Sequence, residues 1–266
     1  RVFYHKVAEV KMNRKELNYF QKMQLRFFDI TALPLSVLLK AIVLKTRRRM
    51  WGKIFDKGAR LVWTPDMVSD AVGPFANVRD YRERRTMRSI LNKIIQDYPI
   101  NSACEVGCGY GRLIMVLEEY AGKVVGFERE AHLLELAKEL LPTIDFCKID
   151  SLDNLSSFGR GQFDFVMTCT VLQHLTDALC RSVLEEIKRI APKGHVLLIE
   201  KVEDNFTTRN VTDGDSFISR ARSKETYAQW MAPYKLVSVS KRVVEPGYIN
   251  PNVGECMLFR SPMLEK

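Results

Sequence analysis

Histidine is scarce in this sequence, with four in 266 residues, and none of the six cysteines forms a C-x-x-C pair. Cys104, Cys108, Cys147, Cys169, Cys180 and Cys256 fall mostly in stretches that read as strands or helices. That pattern argues against a disulfide framework or a zinc site and suits buried, reduced thiols in a cytosolic protein, with no metal expected. Long hydrophobic runs are missing too. The most apolar stretch, Ile30–Leu44, is too short and too interrupted, by Pro34 and Lys40, for a transmembrane helix. No secretory signal, internal repeat or low-complexity tract is visible. The chain opens on Arg1 without a Met, which reads as a trimmed chain or part of a longer one.

What is present is a globular composition, 46% hydrophobic with mixed charge, and enough length for one domain with a core plus an appendage. The net charge of +9 is unevenly spread. Residues 1–60 hold fifteen Lys/Arg against four Asp/Glu, a local +11, and the remainder nets −2. A basic block of this kind favours phosphate-bearing partners, whether nucleic acid, anionic lipid or a phosphorylated substrate. Residues 4–27 read as a helix with Val10, Leu17, Phe20, Met23 and Phe27 close to one face. The apolar stretch Leu35–Leu44 runs into Arg47, Arg48, Arg49, Trp51 and Lys53, an arrangement suited to a membrane interface. A helical cap on the following domain is the alternative. The expected location is cytoplasmic, with peripheral attachment to the cytoplasmic face of a membrane.

Residues 56–80, with Gly58, Pro65, Gly73 and Pro74, read as a linker or loop. From Tyr81 the pattern becomes regular. Helices are predicted at about 82–96, after Gly111 with Leu113, Val116, Leu117 and Tyr120 on one face, and at about 130–141, 177–191 and 223–232. Strands are predicted at Ser102–Val106, Lys123–Glu128, Asp145–Asp150, Phe163–Cys169, His195–Glu200, Lys235–Val243 and Glu255–Arg260. Alternating strands and helices imply an α/β fold, a doubly wound, mostly parallel seven-stranded sheet. The last two strands, with no helix between them, imply an antiparallel C-terminal hairpin. The domain division is a basic helical segment at 1–78 and the α/β domain at 79–266.

In such a sheet, ligands bind beyond the carboxyl ends of the strands, where strand order reverses. The informative residues sit there. Glu105-Val-Gly107-Cys108-Gly109-Tyr-Gly111 ends the first strand, and glycines let its backbone turn tightly and approach a ligand. Glu128, ending the second strand, suits a ribose diol, and Asp150, ending the third, suits an adenine amino group. Thr168, Thr170 and the run to His174 leave the fourth strand. A dinucleotide fingerprint would need a third glycine at position 112, which is Arg112.

Over about residues 80–260 the chain resembles the class I S-adenosylmethionine-dependent methyltransferases. Glu105-x-Gly-x-Gly-x-Gly111 is similar to that family's first motif, and Val171-Leu-Gln-His-Leu175 to its V-L-x-H-L segment. The resemblance implies S-adenosylmethionine as cofactor. It places Gly107 and Gly109 beneath the methionine part, Glu105 ordering the loop, Glu128 on the ribose, and Asp150 and Ser151 beside the adenine. Cys108, Gly111, Arg112, Arg129, Thr168 and Thr170 complete the expected cofactor set. A narrower similarity, through His174-Leu-Thr-Asp177 and Asp213-Gly-Asp-Ser216, is to the protein N-terminal α-amine methyltransferases.

Methyl transfer is an in-line displacement in which the protein mainly orients the acceptor, adding a general base when the acceptor is an oxygen. His174 is the candidate base by position, with a structural histidine as the alternative; His132 and His195 read as structural. Tyr81, Asp213, Asp215 and Tyr248 are substrate candidates and Asn250 a weaker one, while Tyr81, Arg84 and Arg85 precede the first core helix within reach of the cofactor carboxylate, with a solvated helix face as the alternative. The acceptor expected from charge is a small, lipid-linked or phosphate-bearing molecule, methylated on oxygen or nitrogen. A non-catalytic nucleic-acid-binding module on the same fold and a nicotinamide-dependent oxidoreductase are the competing classes.

Overall fold

Seven strands hydrogen-bond into one sheet in the order β3-β2-β1-β4-β5-β7-β6 in the computed structural model, which describes residues 75–202, 221–242 and 254–264. The strands are β1 (Ser102–Val106), β2 (Lys123–Glu128), β3 (Asp145–Lys148), β4 (Phe165–Cys169), β5 (His195–Glu200), β6 (Lys235–Lys241) and β7 (Glu255–Arg260). The helices are α1 (Phe75–Ile94), α2 (Ile114–Leu117), α3 (Ala131–Leu140), α4 (Asp177–Ile190) and α5 (Lys224–Met231). The sheet from β3 to β5 is parallel throughout. β7 pairs antiparallel with both β5 and β6, so the C-terminal hairpin is present with its second strand on the inside.

Period-two alternation divides the strand side chains between two cores. Phe165, Met167, Leu197, Ile199, Cys256 and Leu258 face α1, α2 and α3, where Met87, Leu91, Leu117 and Ala137 meet them. Val166, Val196, Leu198, Met257 and Phe259 face α4 and α5. In α4 the buried Cys180, Val183, Leu184, Ile187 and Ile190 follow helical spacing, and Thr176 caps the start by accepting a hydrogen bond from Leu179 N–H. Ser223 caps α5 in the same way.

Several expectations change in detail: β3 ends at Lys148 rather than Asp150, and β4 begins at Phe165 rather than Phe163. The helix expected after Gly111 is only the single turn Ile114–Leu117, though Leu113, Val116 and Leu117 are buried as expected. Glycine at 111, with φ 88°, and the turns around it take up the remaining chain. The first helix starts earlier than expected, at Phe75. The segment 1–74 lies outside the described residues, as do Asp213, Asp215, Tyr248 and Asn250. Among the described residues, no helix is long and apolar enough to cross a membrane, and no group of three His, Cys, Asp or Glu is placed to hold a metal ion.

Candidate cofactor and acceptor site

Strand order reverses between β1 and β4, because β1 continues leftward to β2 and β4 rightward to β5. The loops leaving β1 and β4 therefore flank the crevice where a ligand binds in sheets of this kind. They touch each other. A Cβ built on Gly107 would meet Val171 Cγ2 at 2.6 Å, and Gly107 has φ 74°, so glycine is required there on two counts. Gly109 also turns through positive φ, at 58°.

Glu128 straps this loop to the second strand. Its carboxylate accepts hydrogen bonds from the backbone N–H of Gly109 (2.8 Å), Arg129 (2.7 Å) and Glu130 (2.9 Å). A carboxylate has about four lone-pair sites, so one remains for a ligand hydroxyl. The Arg129 guanidinium donates to Glu130 Oε1 through Nε (2.9 Å) and Nη2 (2.6 Å). Ile149 N–H donates to Glu128 carbonyl oxygen at 3.0 Å, which brings Asp150 beside the same strand end, with its side chain exposed. Ser151 hydrogen-bonds Asp153, a carboxylate the sequence reading did not single out.

Beneath the loop, Glu105 is buried at 3% exposure, and its Oε2 has no hydrogen-bond partner among the described residues. Burial pushes its carboxyl up to about 8; the neighbouring Arg112 charge pulls the other way, Glu128 adds to the rise, and the Ile114 backbone N–H opposes it. Cys108, packed above, is buried with its thiol pushed well up by burial and the same two carboxylates. Arg112 pairs with the buried Glu83 of α1 and donates to Cys169 Sγ at 3.7 Å. Arg242, just past β6, approaches the same Glu83 at 2.8 Å. Glu83 of α1 thus links the glycine loop, through Arg112, to the end of β6, through Arg242.

On the acceptor side, Thr170 adopts φ 55°, unusual for a β-branched residue. Two buried charges hold the segment that follows. Glu200, ending β5, accepts from Thr168 Oγ1 (2.9 Å), Val171 N–H (3.1 Å) and Gln173 N–H (3.2 Å), while burial raises its carboxyl above the usual range. Arg222 donates to the carbonyls of Leu172 (2.8 Å) and Leu175 (2.6 Å) and to Asp177 (3.0 Å). Thr168, expected near the cofactor, is fully buried with its hydroxyl on Glu200. His174 is half-buried beside Gln173. His195, at the far end of β5, stacks near Tyr98, and burial lowers it to about 4 with help from Arg260. Tyr81 is exposed on α1.

The structure therefore brings Glu105, the glycine loop, Glu128 and the Val171 segment together. The orphaned Glu105 oxygen fits a cationic ligand group, as the methionine ammonium of S-adenosylmethionine would be, and the Glu128 site left open fits a ribose hydroxyl. Sequence reasoning missed Glu83, Glu200 and Arg222, because pairing of buried charges across long separations leaves no local pattern.

Comparison with known proteins agrees with this geometry. Residues 103–194 match the family model of a methyltransferase domain. An uncharacterized methyltransferase of Schizosaccharomyces pombe is 34% identical over 104 residues, covering 35% of this chain and 37% of that protein. The ribosomal RNA small subunit methyltransferase A of Bacillus cytotoxicus is 30% identical over 126 residues, covering 42% of each. The chain thus spans less than half the length of these curated relatives. In fold, an S-adenosylmethionine-dependent methyltransferase of Leishmania major superposes with a TM-score of 0.58 at 19% identity, over 74% of this chain and 77% of that one. Residues 103–194 thus resemble a methyltransferase domain, and the seven-stranded sheet has the fold of S-adenosylmethionine-dependent methyltransferases.

Proposed function

We propose that this protein transfers the methyl group of S-adenosylmethionine to an oxygen or nitrogen atom of a phosphate-bearing acceptor, small or lipid-linked. The observation that carries the cofactor half of this reading is the buried, unpartnered Glu105 oxygen at the point where strand order reverses. An ionisable group so placed costs stability unless a ligand supplies its partner. When bound, the cofactor supplies an electrophilic methyl on a sulfonium. The chain supplies the rest. Glu105 faces the ammonium, the Gly107–Gly109 backbone lies beneath the methionine part, Glu128 holds the ribose, and Asp150 and Ser151 border the adenine. The Thr170–His174 segment holds the acceptor, and His174 is the candidate group for moving its proton.

The acceptor half rests on the +11 charge of residues 1–60. A membrane surface carrying a lipid-linked acceptor fits the apolar stretch that precedes the Arg47–Arg49 cluster, and the same arrangement supports attachment to the cytoplasmic membrane face. The ribosomal RNA methyltransferase relative favours a second reading, in which the phosphate-bearing acceptor is RNA. Thermal-shift measurements with S-adenosylhomocysteine, NAD and RNA separate the classes, because a ligand that binds the native state raises the midpoint. Stabilisation by S-adenosylhomocysteine, lost in Glu105→Gln, is expected. Stabilisation by NAD alone would reject the reading.

A further inference from the structure

Resting on the methyltransferase reading of this site, we infer that Glu200 is a positioning residue for the cofactor loop, setting cofactor affinity from two strands away by holding Val171 against Gly107. In the strand order β1-β4-β5, the glycine loop lies on one side of β4 and Glu200, ending β5, on the other. The segment leaving β4 touches both. Glu200 grips it from the β5 side: Oε1 accepts from Thr168 Oγ1 (2.9 Å) and Val171 N–H (3.1 Å), and Oε2 from Gln173 N–H (3.2 Å). Thr170 N–H adds a fourth hold, donating to Ile199 carbonyl oxygen at 2.8 Å. Glu200 is 0% exposed, so without these donors its carboxylate would be a stranded buried charge, and bonds to a charged acceptor are about twice as strong as neutral ones.

The grip holds a backbone that would otherwise relax. The two donors to Oε1 stand on either side of Thr170, whose φ of 55° a β-branched residue rarely adopts. Val171 passes the grip to the cofactor side. Its Cγ2, Cγ1 and Cβ lie 2.6, 3.3 and 3.5 Å from where a Cβ on Gly107 would stand, so its side chain fills the space that the glycine leaves. From β2, Phe127 carbonyl oxygen accepts from Gly107 N–H (2.8 Å) and Cys108 N–H (3.0 Å). The loop is thus held between β2 and Val171, and close packing leaves no slack to absorb a shift of the valine. Glu128 straps the loop by bonds to its own backbone, whereas Glu200 acts on it through Val171.

Isothermal titration of the full chain with S-adenosylhomocysteine tests this. Glu200→Gln leaves one amide oxygen for the N–H groups of Val171 and Gln173, so the turn loses a hold whichever way the amide lies. Affinity should fall by about two- to thirtyfold. In a Val171→Ala background, where the contact with Gly107 is already gone, the same change should alter affinity by less than about twofold, the coupling that a double-mutant cycle reads. Leu184→Ala, in the core under α4, lowers stability but should keep wild-type affinity below its unfolding midpoint. Wild-type affinity in Glu200→Gln, an equal loss in both backgrounds, or a similar loss in Leu184→Ala would overturn the inference. Should Glu200→Gln not fold, as its thermal midpoint would reveal, Glu200→Asp, which draws the carboxylate back by one methylene, takes its place in the cycle with the same outcomes. If the wild type binds no S-adenosylhomocysteine, the methyltransferase reading falls, and the Gly107 and Gly109 amide resonances judge Glu200 instead. A shift on Glu200→Gln that disappears in the Val171→Ala background upholds the coupling; unshifted resonances overturn it.

Discussion

Replacing Glu128 by Ala should lower both stability and cofactor affinity, and the two losses have different sources in the structure. Three backbone amides lose a charged acceptor. Hydrogen bonds to charged groups contribute about 1.5–3 kcal/mol each, but the losses do not simply add. Arg129 and Glu130 stand half-exposed at the start of α3, where water can replace the carboxylate, whereas the Gly109 amide is buried. One stranded amide plus two weakened ones amounts to about 2–4 kcal/mol of stability, a fall of roughly 5–15 °C in Tm for a chain of this size. The ribose loses one charge-assisted bond, a roughly ten- to hundredfold drop in S-adenosylhomocysteine affinity. Glu128→Gln should retain most stability by keeping its oxygen on the two α3 amides, but its NH₂ would meet Gly109 N–H, so the loop should still loosen. Differential scanning calorimetry and isothermal titration read the two effects separately. Unchanged affinity in a folded Glu128→Ala protein refutes the ribose assignment. An unchanged Tm refutes the strap.

Cofactor affinity should also depend on pH through Glu105. Because burial raises its carboxyl to about 8, the free protein holds that proton at pH 7, and a cationic ligand group favours its release. S-adenosylhomocysteine affinity should climb toward pH 8 and then level off, with the Glu105 contribution absent in Glu105→Gln. By the same linkage the ligand-free protein loses stability as pH rises from 4.5 to about 8, because the folded state binds the proton more tightly than the unfolded chain. Gly107→Ala should cost about 1–3 kcal/mol in denaturant unfolding; adding Val171→Ala should recover only part, since it relieves the overlap and leaves the positive φ. Changing Arg47, Arg48 and Arg49 to Gln should weaken salt-sensitive sedimentation with anionic vesicles. Equal sedimentation of the unmodified protein with neutral vesicles would defeat the electrostatic docking.

The strands were legible because their signal is local. Ser102–Val106, Lys123–Glu128, His195–Glu200 and Glu255–Arg260 have the expected bounds, since each is a short apolar run closed by turn residues or a charged residue. The polar alternation of Lys235–Lys241 against the apolar core of Glu255–Arg260 also agrees with which hairpin strand lies outside. The glycine motif located the crevice for the same reason. The supports of the crevice were not legible. Glu83 reaches Arg112 across 29 positions, and Arg222 reaches Leu172 across 50, so only the folded sheet brings them together. Nor did spacing reveal that the side chains of Arg112, Arg129 and Thr168, all expected near the cofactor, hold Glu83, Glu130 and Glu200, contacts that packing alone decides.

The position of β7 between β5 and β6 sets an order on synthesis. As the chain emerges, β6 is made before the strand that connects it to the rest of the sheet, and β5 meanwhile presents a long apolar edge with unpaired amides and carbonyls. Until residues 255–260 arrive, the nascent domain is open along one side, the situation in which strands pair with the wrong neighbour or with another chain. A frameshift or proteolytic nick before Glu255 would leave that state permanent, so the shortened product should fall to chaperones and proteases even though its glycine loop, Glu105 and Glu128 are all intact.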